Sequence, residues 1–399
     1  AFEHTGLIDV DDLKGFLNST RFKRLEKVPK DQRKEESIYT PYLFPTRPYT
    51  AAEIAELAPE CVGFGKITQT KPQSTWAKYV RAVRGVWVKP ALLEDEVLET
   101  KKKTGKPQYR KRFRIGTQKK KSVVVAITNL LTEDSSWAAT ACNKPELTLD
   151  RYKRVSDLVN QALQVKPRPD YLLLPELSLP LKWVDSIANR LIRAGISLIA
   201  GTEYRHYERN EICSEAFLAL TDDRLGFPSS VRIWQPKVEP AVGEDRDLTS
   251  KMGKSWRKPS RRRKPVYIHN DVHFGVMVCS EISNSKERVR FQGGVDALMV
   301  LAWNQDLDTF ASLIESAALD VHAFTILVNN IKYGDSRVRA PAKEQYRRDL
   351  ARIRGGENDF CVVVKLDIDG LRAFQSRAKR WPDKSDPFKP VPEGFTIRG

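Results

Sequence analysis

Three residues of different chemistry each stand at the end of an apolar run: Glu176 after YLLLP, Lys237 after RIWQP and Cys279 after FGVMV. In open α/β sheets, functional groups gather where strands give way to loops, so such positions suit reactive side chains. A thiol is a weak nucleophile until deprotonated, and Cys279 therefore needs a base beside it. The Glu176 carboxylate is able to take that proton and return it to a leaving group. An ammonium such as that of Lys237 suits stabilisation of the negative charge that builds when an electrophilic carbon is attacked. Each residue also has an ordinary explanation. A cysteine after a strand is usually a small core residue, a glutamate after proline favours a helix start, and a strand-end lysine is normally solvated. The chemical reading holds only if the three meet.

The elements that would bring them together begin near Ser122. SVVVAITNLL (Ser122–Leu131) is a β-branched run of buried-strand type, and YLLLPEL is a second. Between them Leu147–Val165 has helical spacing, with Leu149, Tyr152, Val155, Leu158, Val159, Ala162 and Leu163 on one face. Trp183–Ala194 reads as a helix and Ile196–Tyr204 as a third strand. Ala216–Asp222, Val231–Lys237, Val266–Ile282 and Asp296–Trp303 follow as strand candidates. A helix over Phe310–Val321, then Ala323–Asn330 and Asp359–Ile368, completes the series. Strands separated by helices at this rhythm predict α/β layers.

The first third has another texture. Phe2–Leu17 has roughly helical spacing, Arg21–Lys34 is charged, Thr50 caps a short helix from Ala51, and Trp76–Lys89 suits either a strand or a helix. Lys101–Lys121 holds 11 Lys/Arg and no acid. The expected organisation is a basic N-terminal region over residues 1–100, a basic linker over 101–121 and one large domain over 122–399. The whole chain of 399 residues carries a formal charge of +17, and residues 1–121 account for most of it, with 26 basic against 15 acidic groups. Such a surplus favours polyanionic partners and says nothing about fold.

Other classes are disfavoured. The five cysteines are scattered without a CxxC pair, and the five histidines form no HExxH, so neither a disulfide framework nor a zinc site is suggested. His269 and His273 lie four apart on a strand or turn, which favours hydrogen-bonded imidazoles over a shared metal. No GxGxxG after a strand, no GxxxxGK[ST] and no GxSxG occurs. No apolar run approaches the ~20 residues of a membrane span. The opening AFEHTGLIDVDD lacks a signal-peptide pattern, which points to a reducing cytoplasm and no membrane. The chain begins without Met, as a processed protein or a piece of a longer polypeptide would.

In that order, LLLPELSLP around Glu176, QPKVEPAVGE around Lys237 and Glu244, and GVMVCSEI around Cys279 resemble the nitrilase, or carbon–nitrogen hydrolase, superfamily. Its members place a glutamate after an aliphatic strand, then a lysine, a second glutamate seven residues on, and a cysteine after a further strand; Glu244 stands at that plus-seven position here. VAITN, IAGTEY, ALMVLAWNQD, ESAALDVHAFTILVNN and GDSRVRAP resemble flanking segments, so the likeness covers about 250 residues. The resemblance implies an α/β fold, a four-layer αββα sandwich, that forms homo-oligomers, takes a small amide or nitrile substrate and uses no metal or organic cofactor. Cys279 would form a thioester, with Glu176 as proton carrier and Lys237 plus the backbone N–H groups after Cys279 stabilising the developing charge. Glu244 would position substrate or water, and Glu281 would brace the turn. Ser280 departs from the bulky residue many members carry after the cysteine.

Lys251–Lys264 adds eight basic residues and no acid. It is either a solvated insertion or a recruiter of phosphate-bearing substrate or RNA. In the second case Arg257, Lys258, Arg261, Arg262, Arg263 and Lys264 are the candidate polyanion contacts, and Trp256 would stack on a base. A basic leader entering a nitrilase-like domain also resembles the C-terminal part of bacterial defence-associated reverse transcriptase–nitrilase fusions; no YxDD motif lies in this chain, so any polymerase centre would precede Ala1. Two functions follow. One is a carbon–nitrogen hydrolase, or an acyl transferase through the same thioester, within a nucleic-acid-associated defence system. The alternative is a non-catalytic nitrilase scaffold that serves such a system as a binding or oligomerisation module.

Overall fold

Several predicted strands are apolar at nearly every position rather than every second one, and the computed structural model shows why: their sheet is covered on both faces. The described residues are Ala55, Ala58, 92–100, 107–223, 228–259, 263–377 and 383–397, with the backbone alone described over 92–100, over 107–109 and at Arg209. The chain divides into two compact units, Ala1–Pro90 with Arg224–Phe227, and Ala91–Asp223 with Pro228–Gly399. The expectations for Phe2–Leu17, Arg21–Lys34, Thr50 and Trp76–Lys89 lie outside the described residues, and the second unit is described below.

That unit opens with β1 (Leu92–Thr100), β2 (Pro107–Ile115), β3 (Ser122–Asn129), α1 (Asp134–Ala141), α2 (Leu149–Gln164), β4 (Tyr171–Leu179), α3 (Val184–Arg193) and β5 (Ser197–Thr202). It continues through β6 (Arg205–His206), β7 (Glu211–Cys213), β8 (Glu215–Asp222), β9 (Ser229–Pro236), α4 (Val242–Met252), β10 (Ser255–Trp256), β11 (Val266–His269) and β12 (Val272–Val278). A 3-10 turn over Cys279–Ser283 leads to α5 (Ser285–Val289), β13 (Ala297–Ala302), α6 (Leu307–Asp320) and β14 (Phe324–Asn329). Last come β15 (Ser336–Arg339), β16 (Asp349–Ile353), β17 (Phe360–Asp367) and α7 (Ile368–Gln375).

The strands form an eight-stranded sheet ordered β1-β2-β11-β12-β13-β14-β15-β16, a six-stranded sheet ordered β17-β3-β4-β5-β8-β9, and a small sheet ordered β10-β7-β6. Alternation along the six-stranded sheet divides its side chains between two cores. Val125, Ile127, Tyr171, Leu173 and Ile199 meet Phe274, Val276 and Leu298 of the larger sheet. The intervening Ala126, Leu172, Leu174, Leu198 and Ala200 pack on Val155, Leu158, Ile187 and Leu191 of α2 and α3. With α6 laying Phe310, Ile314 and Ala317 against the eight-stranded side, the result is the expected four-layer αββα sandwich. Within each sheet the central strands are parallel, β3-β4-β5 in one and β12-β13-β14 in the other, so their carboxyl ends share an edge.

Three expectations need correction. Residues 107–115 are not linker: β2 pairs antiparallel with β1 and parallel with β11, inside the large sheet. Its basic side chains are not simply solvated. Arg110 is buried, donating to the Arg290 carbonyl at 2.7 Å above the Phe291 ring, while Phe113 stacks on Tyr267 and Ile115 enters the core. The α2 face is also shorter than predicted. Leu149 is 82 % exposed and Tyr152 38 %. Thr148 caps the helix, and the buried place in the first turn goes to Arg151, which reaches Glu203 at 2.7 Å. Finally Val266–Ile282 is a hairpin rather than one strand. Asn270 and Asp271 both adopt positive φ, +50° and +67°, which a tight two-residue turn requires and short polar side chains tolerate.

Candidate active site

Glu176 lies near the carboxyl end of β4, where the strand is irregular. The pairing with β5 runs from Tyr171↔Ser197 to Leu174↔Ala200 and then jumps to Leu179↔Thr202. Pro175 cannot donate to a ladder, and Leu177 turns to a φ of +57°. This local kink aims Glu176 into a cavity rather than along the sheet. The kinked backbone comes close enough to β5 that a Cβ on Gly201 would stand 2.3 Å from Glu176 Cα, so only glycine fits opposite it.

Lys237 follows β9 and is 1 % exposed. Its backbone N–H donates to the Ser214 carbonyl at 3.0 Å. The preceding Gln235 donates to the Val276 carbonyl at 2.9 Å and accepts from the Tyr267 hydroxyl at 2.9 Å, locking the strand end against the other sheet. From there the ammonium reaches Glu176 Oε1 at 2.9 Å and Glu244 Oε2 at 2.6 Å. Glu244, in the first turn of α4, also accepts from the Ala241 backbone N–H at 3.0 Å and the Tyr204 hydroxyl at 2.6 Å. Tyr204 in turn accepts from Trp137 Nε1 at 2.9 Å.

Cys279 follows β12 and begins the 3-10 turn with a φ of +48°, a strained conformation for a residue with a side chain. Its thiol donates to the Trp303 carbonyl at 3.7 Å and lines the same cavity as Glu176. Two braces hold the turn. Glu281 accepts from the Val278 N–H at 2.8 Å and the Val238 N–H at 2.7 Å, tying the residue before the cysteine to the residue after the lysine. Asn329, ending β14, clamps the Trp303–Asn304 loop: its Oδ1 accepts from Asn304 N and its Nδ2 donates to the Asn304 carbonyl, both at 2.8 Å. Ser336 in the late turn donates to the Thr128 carbonyl at 3.2 Å and accepts from Asn329 N at 2.9 Å.

Burial pushes the Glu176 carboxyl up, against the pull of Lys237. Burial would lower Lys237, but Glu176 and Glu244 outweigh it and hold the ammonium well above its ordinary value. Burial, then the adjacent Glu176 charge, pushes the Cys279 thiol up. Cys279 therefore rests as a neutral thiol. Burial followed by Glu244 also raises Tyr204, which stays a phenol and a donor.

These groups share one cavity of about 660 Å³, lined by Glu176, Lys237, Glu244 and Cys279 together with Trp137, Tyr204 and Trp303. The structure thus places all four sequence-predicted reactive residues together. Sequence reasoning missed Trp137 and Tyr204; the only available signal was that a buried tyrosine or tryptophan needs a polar partner. The polyanion candidates divide. Arg257 and Lys258 are exposed, Arg263 is half-buried, and Arg261 and Arg262 lie outside the described residues. Lys264 is instead buried, bound to Glu281 at 2.6 Å and the Pro236 carbonyl at 2.9 Å, so it braces the turn over Cys279–Ser283. Trp256 is not available for base stacking either. It is 9 % exposed and packs edge-on to Tyr204 beneath the Lys237 ammonium.

No family model and no curated protein matches the chain. Among solved structures it is similar to an amidase from Nesterenkonia sp., at 17 % identity over 66 % of this chain and 96 % of that one with a TM-score of 0.45. It is also similar to a cysteine-to-alanine variant of the Nesterenkonia sp. AN1 amidase in complex with butyramide, at 16 % identity over 63 % and 93 % with a TM-score of 0.44. A third similar structure shows acrylamide added at the active site cysteine of that amidase, at 16 % identity over 63 % and 95 % with a TM-score of 0.45.

Removing Lys237 would leave Glu176 and Glu244 as two buried carboxylates without their shared cation. Loss of one partner from a buried ionic set typically costs about 3–5 kcal/mol. Lys237→Met is expected to lower unfolding stability by that order, read from denaturant midpoints. A midpoint unchanged from the parent would show that the ammonium does not hold the two acids.

Proposed function

We propose that this chain is a nitrilase-superfamily hydrolase that cleaves a carbon–nitrogen bond of a small amide or nitrile through a Cys279 thioester. One observation carries the reading: an ammonium 2.9 Å from Glu176 and 2.6 Å from Glu244, with the Cys279 thiol lining the same cavity. For an amide, the sulfur attacks the carbonyl carbon while its proton passes to Glu176. Lys237, with backbone N–H groups of the turn after Cys279, stabilises the oxyanion. Collapse breaks the carbon–nitrogen bond, and Glu176 returns the proton to the departing ammonia or amine. Water then gives a proton to Glu176 and attacks the thioester. The acid leaves, and the sulfur recovers its proton. A nitrile would pass through a thioimidate and take up one further water before ammonia departs. Glu244 already accepts from Lys237, Tyr204 and Ala241, which suits it to hold the ammonium and orient substrate rather than carry protons.

The setting that fits the charge is a cytoplasmic, nucleic-acid-associated defence system in which the hydrolase acts as a homo-oligomer. Its support is the basic surplus of residues 1–121 together with the exposed Arg257 and Lys258. An electrostatic contact of this kind loses affinity steeply with salt. Binding of single-stranded RNA or DNA is expected to fall by at least about tenfold between about 50 and about 200 mM salt. Retention that barely changes would remove the polyanion reading.

Incubation with a panel of primary amides and nitriles, read by intact mass and ammonia release, tests the chemistry. An acyl adduct on Cys279 is expected, and Cys279→Ala should lose turnover by roughly a thousandfold or more, as loss of a nucleophile does. Neither an adduct nor ammonia from any member of a broad panel would overturn the assignment. The pH profile adds a second check. Glu176 must be ionised to accept the thiol proton, and burial raises its folded-state pKa above the ordinary 4.5. kcat/KM should therefore be full on the alkaline side and fall as pH drops through a value above 4.5. An acid limb at or below the ordinary value would contradict a buried carboxylate base.

A further inference from the structure

The reactive groups occupy only the floor of their cavity. At about 660 Å³ the space far exceeds what an aliphatic amide of two or three carbons fills. Besides Glu176, Lys237, Glu244 and Tyr204, its lining includes Leu177, Trp137, Trp303, Phe310 and Tyr333, which supply apolar and mostly aromatic surface, and Asp134, Arg246, Asp247 and Lys251, which add charge.

Two of those aromatics are tied directly to the reaction centre. Trp137 cannot swing freely, because its indole N–H is committed to the Tyr204 hydroxyl at 2.9 Å, and Tyr204 is itself bound to Glu244 at 2.6 Å. Trp303 offers its carbonyl to the Cys279 sulfur at 3.7 Å, and the following Asn304 is clamped at both backbone polar atoms by Asn329. The two tryptophans come from separate elements, one on α1 and one after β13, with Trp137 held through its indole N–H and Trp303 through its backbone. Aromatic walls held in place beforehand bind a flat apolar group without a further ordering cost.

Resting on the reading that Cys279 attacks a carbon–nitrogen centre, we propose that the substrate carries an aromatic ring on its acyl side, close to the scissile carbonyl, and that Trp137 and Trp303 are its specificity-determining contacts. The ring lies against the indoles, the amide sits over Cys279, and Phe310 and Tyr333 close the apolar wall. Acetamide would reach the same sulfur while leaving these aromatic surfaces uncovered.

The test compares kcat/KM for phenylacetamide and acetamide in the intact chain. A preference of at least tenfold for phenylacetamide is expected. In Trp303→Leu that ratio should fall at least tenfold, and in Trp303→Phe most of it should return, because the flat surface is kept. A ratio near one, with both amides turned over in a Cys279-dependent manner, would overturn the aromatic substrate while leaving the hydrolase assignment standing. If no amide is turned over, the hydrolase reading fails on its own, and the ring preference is still measurable by tryptophan fluorescence. Phenylacetate should quench the emission at concentrations at least tenfold below those acetate requires, and equal or absent quenching by the two would overturn it.

Discussion

A lysine ammonium withdrawn from water between two carboxylates is the constraint on which the site depends. Lys237, Glu176 and Glu244 are tolerable at that depth only as a set, since an isolated charge there would be driven to its neutral form. Together they pair one ammonium with both acids and fix the orientation of each. The low-dielectric surroundings that make the arrangement costly also make each interaction stronger. The network does not end with the three ions. Tyr204, Trp137 and the Ala241 amide extend it from the oxygens of Glu244, so a chain of donors connects the floor of the cavity to its wall.

Much of the surrounding architecture serves to hold that set in register with the sulfur. Glu281 ties the residue before Cys279 to the residue after Lys237, and Lys264 compensates its charge. Asn329 and Ser336 tie the loop whose carbonyl meets the thiol to the carboxyl end of β14 and, through Thr128, to the other sheet. Each joins two elements whose relative shift would separate the sulfur from the ammonium and its two acids. Orientation to within fractions of an ångström is what such supporting contacts supply.

Two strained residues lie in the same region. Cys279 and Leu177 both take positive φ without being glycine, one with its thiol in the cavity and the other next to Glu176. Each lies where a parallel strand ends and the chain must turn its side chains toward the opposite sheet. The packing of two sheets at their shared carboxyl edge makes these conformations tolerable, because the flanking strands are buried along nearly their whole length.

The sequence alone determined the layered α/β character, because continuous apolar runs such as SVVVAITN and YLLLPEL have to be buried on both faces. It also marked Glu176, Lys237 and Cys279, because a polar group ending an apolar run is conspicuous without any fold, while Glu244 entered only through the resemblance to the nitrilase superfamily. What it could not contain was direction. Arg257, Lys258 and Lys264 are alike within one basic run, yet Lys264 turns inward to Glu281 while Arg257 and Lys258 are exposed. Arg110 reads as part of a basic linker and is a buried strand residue, and Trp256 reads as a stacking platform and is packed beneath the ammonium. In each case a side chain meets its partner across a long stretch of chain. Residue types and local periodicity decide which groups need burial or pairing; only the meeting of distant strands decides which partner satisfies them, because those contacts exist solely in the folded arrangement.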